Sequence, residues 1–244
     1  MLPADDMRLR AIIFDVYGTL LEVGLAPADA DLRWKTLWDQ MLGTKPPLSR
    51  LDLSVTCSHI ISRQHQMARS RGIAWPEINW CSVLAEALPE FNHLPEDKQH
   101  EFIRRHIETG HTTRLVTTAI PLLKRLRQQG CLLGVASNAQ EYTVRELGDR
   151  LAGQGLAMSC FESDLCFWSF EHGFSKPDPH VFQFLSARLE LHGISAPETM
   201  MVGDRFDNDI EPAQKFGWRT WQVTSATEVG DGTLAELAAD LPQG

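Results

Sequence analysis

The sequence predicts an α/β protein with a parallel β-sheet core and an all-helical segment inserted after the first strand. Two observations indicate this fold class. Residues 119–241 alternate helical patterns with short apolar runs, and this alternation is typical of a parallel sheet covered by helices on both faces. Residues 29–110 carry helical patterns with almost no strand signal, which indicates a helical insert.

The composition is that of an ordinary globular protein. The 244 residues are 43% hydrophobic and 23% charged, which is enough for one large core or two smaller ones. The formal net charge of -9 argues against nucleic-acid and anionic-membrane partners. No apolar run is long enough to span a membrane, so we expect a cytoplasmic protein. The five cysteines are scattered without a Cys-x-x-Cys pair and predict neither disulfides nor a zinc site.

The first strand organises the rest of the chain. Residues Ala11–Phe14 form a charge-free apolar run that leads directly into Asp15 and a turn containing Gly18. In an open parallel sheet, ligands bind in the crevice outside the carboxyl ends of the strands, so a central first strand would present Asp15 to that crevice. An aspartate after a strand is equally typical of a turn or cap. Its role therefore depends on which other side chains reach the same crevice.

The insert is predicted to contain several helices separated by proline and glycine breaks. At roughly 80 residues it is large enough to be a small domain. Four tryptophans, Trp34, Trp38, Trp75 and Trp80, lie in this segment. They are candidates for lining a substrate pocket, but large aromatic residues at helical spacing favour core packing.

Later elements bring further polar side chains to the edge of the sheet where Asp15 lies. The apolar run at 131–136 ends in a Ser-Asn pair, the run at 199–202 ends in Gly-Asp, and a lysine precedes the proline that begins the helix at about 179. Because the carboxyl ends of parallel strands meet at one edge, these side chains should converge. The predicted cluster consists of Asp15, Ser137, Asn138, Lys176 and Asp204.

The residue types in this cluster suit phosphoryl transfer. Asp15 is a candidate nucleophile that could carry a phosphoryl group as an aspartyl phosphate. Asp204, with Asn208 or Asp209 nearby, offers the oxygen ligands that Mg²⁺ prefers. Lys176 offers a positive charge to hold the nucleophile and to offset charge on the transferred group.

The remaining members are candidates for binding phosphate. Ser137 and Asn138, together with adjacent backbone N–H groups, can donate hydrogen bonds to phosphate oxygens. The predicted ligand is a small-molecule substrate.

These motifs resemble those of the haloacid dehalogenase-like hydrolase superfamily. The matching segments are 15–20, 137–138, 176–177 and 203–209. The resemblance implies a Rossmann-like three-layer core formed by residues 1–21 and 114–244 and a helical cap formed by residues 22–113. It also implies a covalent intermediate at Asp15, catalytic roles for Tyr17 and Lys176, and a role for Thr19 in binding phosphate. Magnesium would be held by Asp15, the backbone carbonyl of Tyr17, Asp204 and Asp209.

The motifs conflict over the reaction. Phosphatases of this superfamily usually carry a second aspartate where this chain has Tyr17, and a tyrosine there resembles the metal-free 2-haloacid dehalogenases. Those dehalogenases typically have an arginine near position 39 and a Ser-Asn pair where this chain has Gly203-Asp204. The acidic motif favours a magnesium-dependent phosphatase whose leaving group is not protonated by an aspartate. The alternatives are a 2-haloacid dehalogenase-like hydrolase and a binding protein without turnover.

Overall fold

A parallel β-sheet of five strands forms the centre of the computed structural model, which describes residues 8–224 and 230–241. Residues 1–7, 225–229 and 242–244 of the predicted core lie outside the described residues. In chain order the strands are β1 (Ala11–Phe14), β2 (Leu21–Gly24), β3 (Thr112–Leu115), β4 (Leu132–Ser137), β5 (Cys166–Trp168), β6 (Thr199–Gly203) and β7 (Arg219–Gln222). The central sheet has the order β5-β4-β1-β6-β7, which confirms the predicted α/β fold class.

The first strand lies at the middle of this sheet. β1 pairs in parallel with β4 on one side and with β6 on the other. All four of its residues are fully buried. The backbone N–H of Asp15 donates to the carbonyl of Val202 at 2.8 Å, which extends the pairing by one residue. Asp15 therefore leaves the sheet between the ends of two neighbouring strands, which is where open parallel sheets bind ligands.

Ten α-helices are described in the ranges 8–224 and 230–241. They are α1 (Ala30–Leu42), α2 (Arg50–Ser70), α3 (Trp80–Ala87), α4 (Glu96–Gly110), α5 (Ala119–Gln128), α6 (Glu141–Ala152), α7 (Ser169–His172), α8 (Pro179–Leu191), α9 (Glu211–Lys215) and α10 (Leu234–Asp240). Those from α5 onward lie with the sheet. Successive side chains of β1 point to opposite faces. Ile12 and Phe14 pack in the apolar layer that includes α5, α6 and α10, while Ala11 and Ile13 pack in the layer that includes α8 and α9. This arrangement is the predicted three-layer core.

The first four helices, which we call the helical insert, form a separate apolar cluster. Trp34 and Trp38 are buried there and make edge-to-face contacts with Phe102, so core packing was the correct interpretation for these two tryptophans. The prediction was wrong for Trp75, which lies between α2 and α3 and is 44% exposed.

A two-stranded antiparallel ribbon joins the helical insert to the core. β2 pairs with β3 from Leu21 opposite Leu115 to Gly24 opposite Thr112. Neither strand was predicted, because both are four residues long and mix exposed with buried positions. The boundaries predicted at 21/22 and 113/114 fall inside this ribbon.

Two further features bear on the expectations from composition. All five cysteines are free. In the two ranges that the structure describes, no helix is both long enough and apolar enough to cross a membrane.

Candidate active site

Asp15 lies at the carboxyl end of β1, where it is 8% exposed. Its Oδ1 accepts a hydrogen bond from Nζ of Lys176 at 2.8 Å. Burial raises the pKa of Asp15 to about 7, the charge of Lys176 opposes that rise, and the charges of Asp209 and Asp204 add to it. Among the described residues, Oδ2 of Asp15 has no hydrogen-bond partner. This oxygen is therefore free to contact a ligand.

Lys176 is the positive centre of the site. Its side chain is 2% exposed, and its ammonium group bridges Asp15 and Asp209 through charge-assisted hydrogen bonds. Burial alone would lower the pKa of Lys176. The two carboxylates outweigh that effect and raise the pKa, so the side chain is charged at neutral pH.

Asp209 is placed by a short π-helical turn, Phe206–Ile210, that follows β6. One of its oxygens accepts from Lys176, and the other accepts from the backbone N–H of Arg205 at 3.0 Å. A Cβ at Gly203 would overlap the Asp209 carboxylate, so this close packing requires glycine at the end of the strand. Asp209 thus fixes both the lysine and the loop that carries Asp204.

Three carboxylates converge at this edge of the sheet. One oxygen from each of Asp15, Asp204 and Asp209 lies within 4.8 Å of the others. Burial and the neighbouring charge of Asp209 raise the pKa of Asp204. When all three are ionised, the buried ammonium of Lys176 balances one of the three negative charges. The exposed guanidinium of Arg205 pairs with Asp207 and offsets the others only in part, so a divalent cation would balance the remaining charge. The donor set therefore fits Mg²⁺ in both charge and oxygen chemistry.

The turn after β1 is built around the Asp204 side chain. Gly18 has φ of +80°, and a Cβ at this position would overlap the Asp204 carboxylate. Glycine is needed here for two independent reasons, since other residues are strained at positive φ and none would leave room for the carboxylate.

The Ser-Asn pair occupies the end of β4. The side-chain amide of Asn138 donates to the backbone carbonyl of Lys176 at 2.9 Å, and its carbonyl oxygen accepts from the backbone N–H of Lys176 at 2.7 Å. This reciprocal pair ties the lysine's main chain to the sheet. Ser137 is 1% exposed beside it. The structure thus uses the side chain of Asn138 to position Lys176.

Thr19 lies in the same turn as Gly18. The residue is fully buried, and its hydroxyl has no hydrogen-bond partner among the described residues. A buried hydroxyl without a partner costs free energy. A ligand oxygen or a water molecule would satisfy it.

Tyr17, which stands where phosphatases of the superfamily usually carry a second aspartate, makes its hydrogen bonds to α6. Its hydroxyl donates to Glu146 on α6 at 2.8 Å and lies 3.3 Å from the hydroxyl of Thr143. Glu146 also accepts from Thr113 on β3. Burial, reinforced by the charge of Glu146, raises the pKa of Tyr17 above its ordinary value. The tyrosine proton is therefore committed to Glu146, a partner that no sequence motif indicated.

Comparison with known proteins gives the family. A model of the haloacid dehalogenase-like hydrolase family matches residues 9–217. A phosphoglycolate phosphatase from Aliivibrio fischeri is 32% identical over 225 residues, which cover 91% of this chain and 87% of that protein. The (S)-2-haloacid dehalogenase 4A from Burkholderia cepacia is 24% identical over 228 residues, which cover 88% and 83% of the two chains.

A solved structure with a similar fold is also a hydrolase of this family. The Bacillus subtilis HAD-hydrolase YfnB, in a crystal structure with bound magnesium, aligns with a TM-score of 0.58 and 23% identity over 96% of this chain and 99% of that chain. The parallel sheet, the helical insert and the family match define this protein as a hydrolase. The chain belongs to the haloacid dehalogenase-like hydrolase family, as its motifs predicted.

Proposed function

We propose that this hydrolase is a magnesium-dependent phosphatase that acts on a small phosphate ester with Asp15 as its nucleophile. The observation that carries this proposal is the convergence of Asp15, Asp204 and Asp209 around one lysine. A metal-free reaction has no use for the uncompensated charge of this group, whereas a divalent cation balances it.

The cation would be held by Asp15, Asp204 and the backbone carbonyl of Tyr17. When bound, Mg²⁺ supplies charge stabilisation for the transferring phosphoryl group. Asp209 contributes by holding Lys176, because both of its oxygens already accept hydrogen bonds.

The chain's own residues support a two-step reaction. The free Oδ2 of Asp15 attacks phosphorus, a new Asp15–phosphorus bond forms, and the bond from phosphorus to the ester oxygen breaks. The ester oxygen takes its proton from solvent water, since the hydroxyl of Tyr17 donates to Glu146. A water molecule then attacks the aspartyl phosphate, gives up a proton to solvent, and releases inorganic phosphate together with the Asp15 carboxylate. Lys176 keeps Asp15 oriented and offsets charge on the phosphoryl oxygens. Ser137 and the unpartnered hydroxyl of Thr19 are the proposed donors to those oxygens.

The Aliivibrio fischeri relative also supports phosphatase activity, since it is named for the hydrolysis of a small phosphate ester. Its substrate is not assigned to this chain.

A second candidate is a 2-haloacid dehalogenase-like hydrolase. It is favoured by Tyr17 at the position of the missing aspartate and by the Burkholderia cepacia relative. In that reaction Asp15 would displace halide from carbon, and no proton donor for the leaving group would be needed. We place this candidate second because a metal-free reaction does not need the three-carboxylate cluster.

The deciding experiment assays the purified protein on a panel of small phosphate esters and, separately, on L-2-haloacids, each with Mg²⁺ and with a chelator. The phosphatase proposal requires phosphate release that the chelator stops. Halide release that survives the chelator would establish the second candidate instead. Asp15→Asn should abolish either activity while circular dichroism shows a native fold, because it removes the nucleophile and preserves its shape.

A further inference from the structure

The segment between α2 and α3 crosses from the helical insert to the core beside the lysine. We call residues 75–78 the strap. The backbone N–H of Glu77 donates to the carbonyl of Gly173 at 3.0 Å, and the N–H of Ser175 donates to the carbonyl of Trp75 at 2.9 Å. Pro76 pairs with Phe174 as an isolated antiparallel bridge. The strap is thus bonded to the residues directly before Lys176.

The side chain of Glu77 reaches a second core loop. One of its oxygens accepts from the hydroxyl of Ser169, and the other accepts from the side-chain amide of Gln140 at 3.1 Å and from the backbone N–H of Ile78 at 2.7 Å. Ser169 is fully buried and accepts from the backbone N–H of Ala139 at 2.7 Å. Through these contacts the carboxylate is connected to the residues directly after Asn138.

The two loops held by the strap meet at the lysine. Asn138 exchanges two hydrogen bonds with the main chain of Lys176, and Lys176 in turn holds Asp15. One residue of the helical insert therefore contacts both loops that fix the position of the ammonium group, although it touches neither Lys176 nor Asp15 itself.

We propose that Glu77 is a positioning residue: its carboxylate holds the loop after β4 through Gln140 and Ser169, its backbone N–H holds Gly173 ahead of Lys176, and together these contacts align Lys176 with the nucleophile. The proposal deepens the function proposed above and rests on it for its effect on turnover. It assigns the helical insert a part in assembling the catalytic group.

The hydrogen bonds at this position favour a carboxylate. Donors from Ser169, Gln140 and Ile78 converge on its two oxygens. A glutamine of the same shape has a single acceptor oxygen and would turn its amide N–H₂ toward at least one of these donors. Glu77→Gln therefore keeps the volume and the backbone bond to Gly173 but weakens the side-chain hold on Ser169 and Gln140.

The test compares Glu77→Gln with Glu86→Gln. Glu86 is the matched control because it is also a glutamate of the helical insert, but its ion-pair partner is Arg63 within the insert. Hydrogen exchange followed by mass spectrometry on peptides covering 137–141 and 173–178 reports the two loops. Steady-state kinetics on the best phosphate ester from the panel, with saturating Mg²⁺, measures kcat and KM separately. A misaligned Lys176 should appear in kcat.

We expect Glu77→Gln to raise amide exchange in the 137–141 peptide about tenfold, with a smaller rise in the 173–178 peptide because the backbone bond to Gly173 is kept. It should lower kcat about tenfold or more, with KM within about twofold of the native value because substrate binding is not the step affected. Glu86→Gln should behave as the native protein. Ser169→Ala provides a second variant in case Glu77→Gln folds poorly, and it should raise exchange in the 137–141 peptide and lower kcat in the same way.

Three results would overturn the proposal: unchanged exchange in Glu77→Gln, raised exchange with kcat unchanged, or a change confined to KM. A native protein without activity on any phosphate ester would count against the proposed function instead. In that case the exchange comparison still decides whether Glu77 holds the loops that position Lys176.

Discussion

A single buried ammonium group faces two carboxylates in the candidate site. Lys176 contacts Asp15 and Asp209, and all three side chains are largely withdrawn from water. Removing one partner from such a group leaves unpaired charge in a poorly solvated place, which costs far more than losing an exposed ion pair.

Lys176→Met should therefore lower the free energy of unfolding by about 3–5 kcal/mol. Lys215→Met is the control, because Lys215 forms an exposed pair with Glu211 at 3.0 Å, and its loss should cost less than about 1 kcal/mol. Urea unfolding of both variants in the presence of a chelator measures the two values. Equal losses would show that the buried group is not held as the structure describes.

The titration of Asp15 predicts a pH dependence of stability. Burial raises its pKa from 3.8 to about 7 in the metal-free protein, so between these values the folded state binds a proton that the unfolded chain does not. Because stability falls with pH wherever the folded state binds more protons, the contribution of Asp15 declines from about pH 4 to about pH 7 and is constant above that range.

Comparison with Asp15→Asn isolates this effect, since the asparagine does not titrate. With chelator present, the stability of the native protein relative to Asp15→Asn should fall by up to about 4 kcal/mol between pH 4 and pH 7. Saturating Mg²⁺ should reduce the fall, because a cation favours the charged carboxylate. Parallel curves for the two proteins in chelator would contradict the raised pKa.

Single residues also show how far sequence could predict the site. Asp15 and Asp204 follow apolar strands and Lys176 precedes a helix, so the sequence could predict that they converge. The structure brings these three together with Asp209. The hydroxyl contact of Tyr17 could not be predicted, since its partner Glu146 lies 129 positions away on a helix face with no motif.

At the scale of elements, the turn after β1 couples backbone conformation to the acidic cluster. Gly18 and Gly43 both adopt positive φ, at +80° and +68°, but a Cβ at Gly18 would overlap the Asp204 carboxylate, whereas a Cβ at Gly43 would meet nothing within 4 Å. Alanine at Gly43 would therefore add backbone strain alone, whereas alanine at Gly18 would add backbone strain and also displace the Asp204 carboxylate.

In Gly18→Ala and Gly43→Ala, backbone strain at positive φ should lower the free energy of unfolding by about 1–2 kcal/mol each. Only Gly18→Ala should also weaken Mg²⁺ binding, measured by titration calorimetry, because it displaces Asp204. Native affinity in Gly18→Ala would show that Asp204 is not required where the structure places it.

Elements differ in how well the sequence predicts them. The buried strands β1, β4 and β6 are apolar runs that end at polar residues, and their positions matched the expectation within one residue. The ribbon strands β2 and β3 were missed, because half-exposed strands of four residues depend on each other for pairing and leave no periodic pattern. The strap was also missed, since its contacts join residues about 100 positions apart.

At the scale of the whole molecule, a bound cation would link the sheet's central strand to the loop after β6. Binding to the folded state alone stabilises a protein, by about 2.7 kcal/mol at a ligand concentration of 100 times Kd. We expect Mg²⁺ to raise the thermal unfolding midpoint accordingly. Asp204→Asn should remove this stabilisation.

Asp207→Asn is the matched control for that experiment, since Asp207 is exposed three residues further along and pairs with Arg205 at 2.7 Å. It should keep the response to Mg²⁺. An equal response in native protein and Asp204→Asn would place the cation elsewhere. Calorimetric scans at several Mg²⁺ concentrations make both comparisons.

The division of the chain into a core of residues 1–21 and 114–244 and a cap of residues 22–113 stays a prediction. The structure shows that the helical insert has its own apolar cluster, to which the core adds Tyr142 at the edge.

The ribbon between β2 and β3 makes the two ends of the insert neighbours. Gly24 and Thr112 are directly paired across it, so the chain leaves the core and returns to it at almost the same point. A two-residue hairpin turn could close the gap between them. This geometry makes the insert an exchangeable module: a different helical segment could be grafted at these two positions while every strand of the central sheet kept its neighbours.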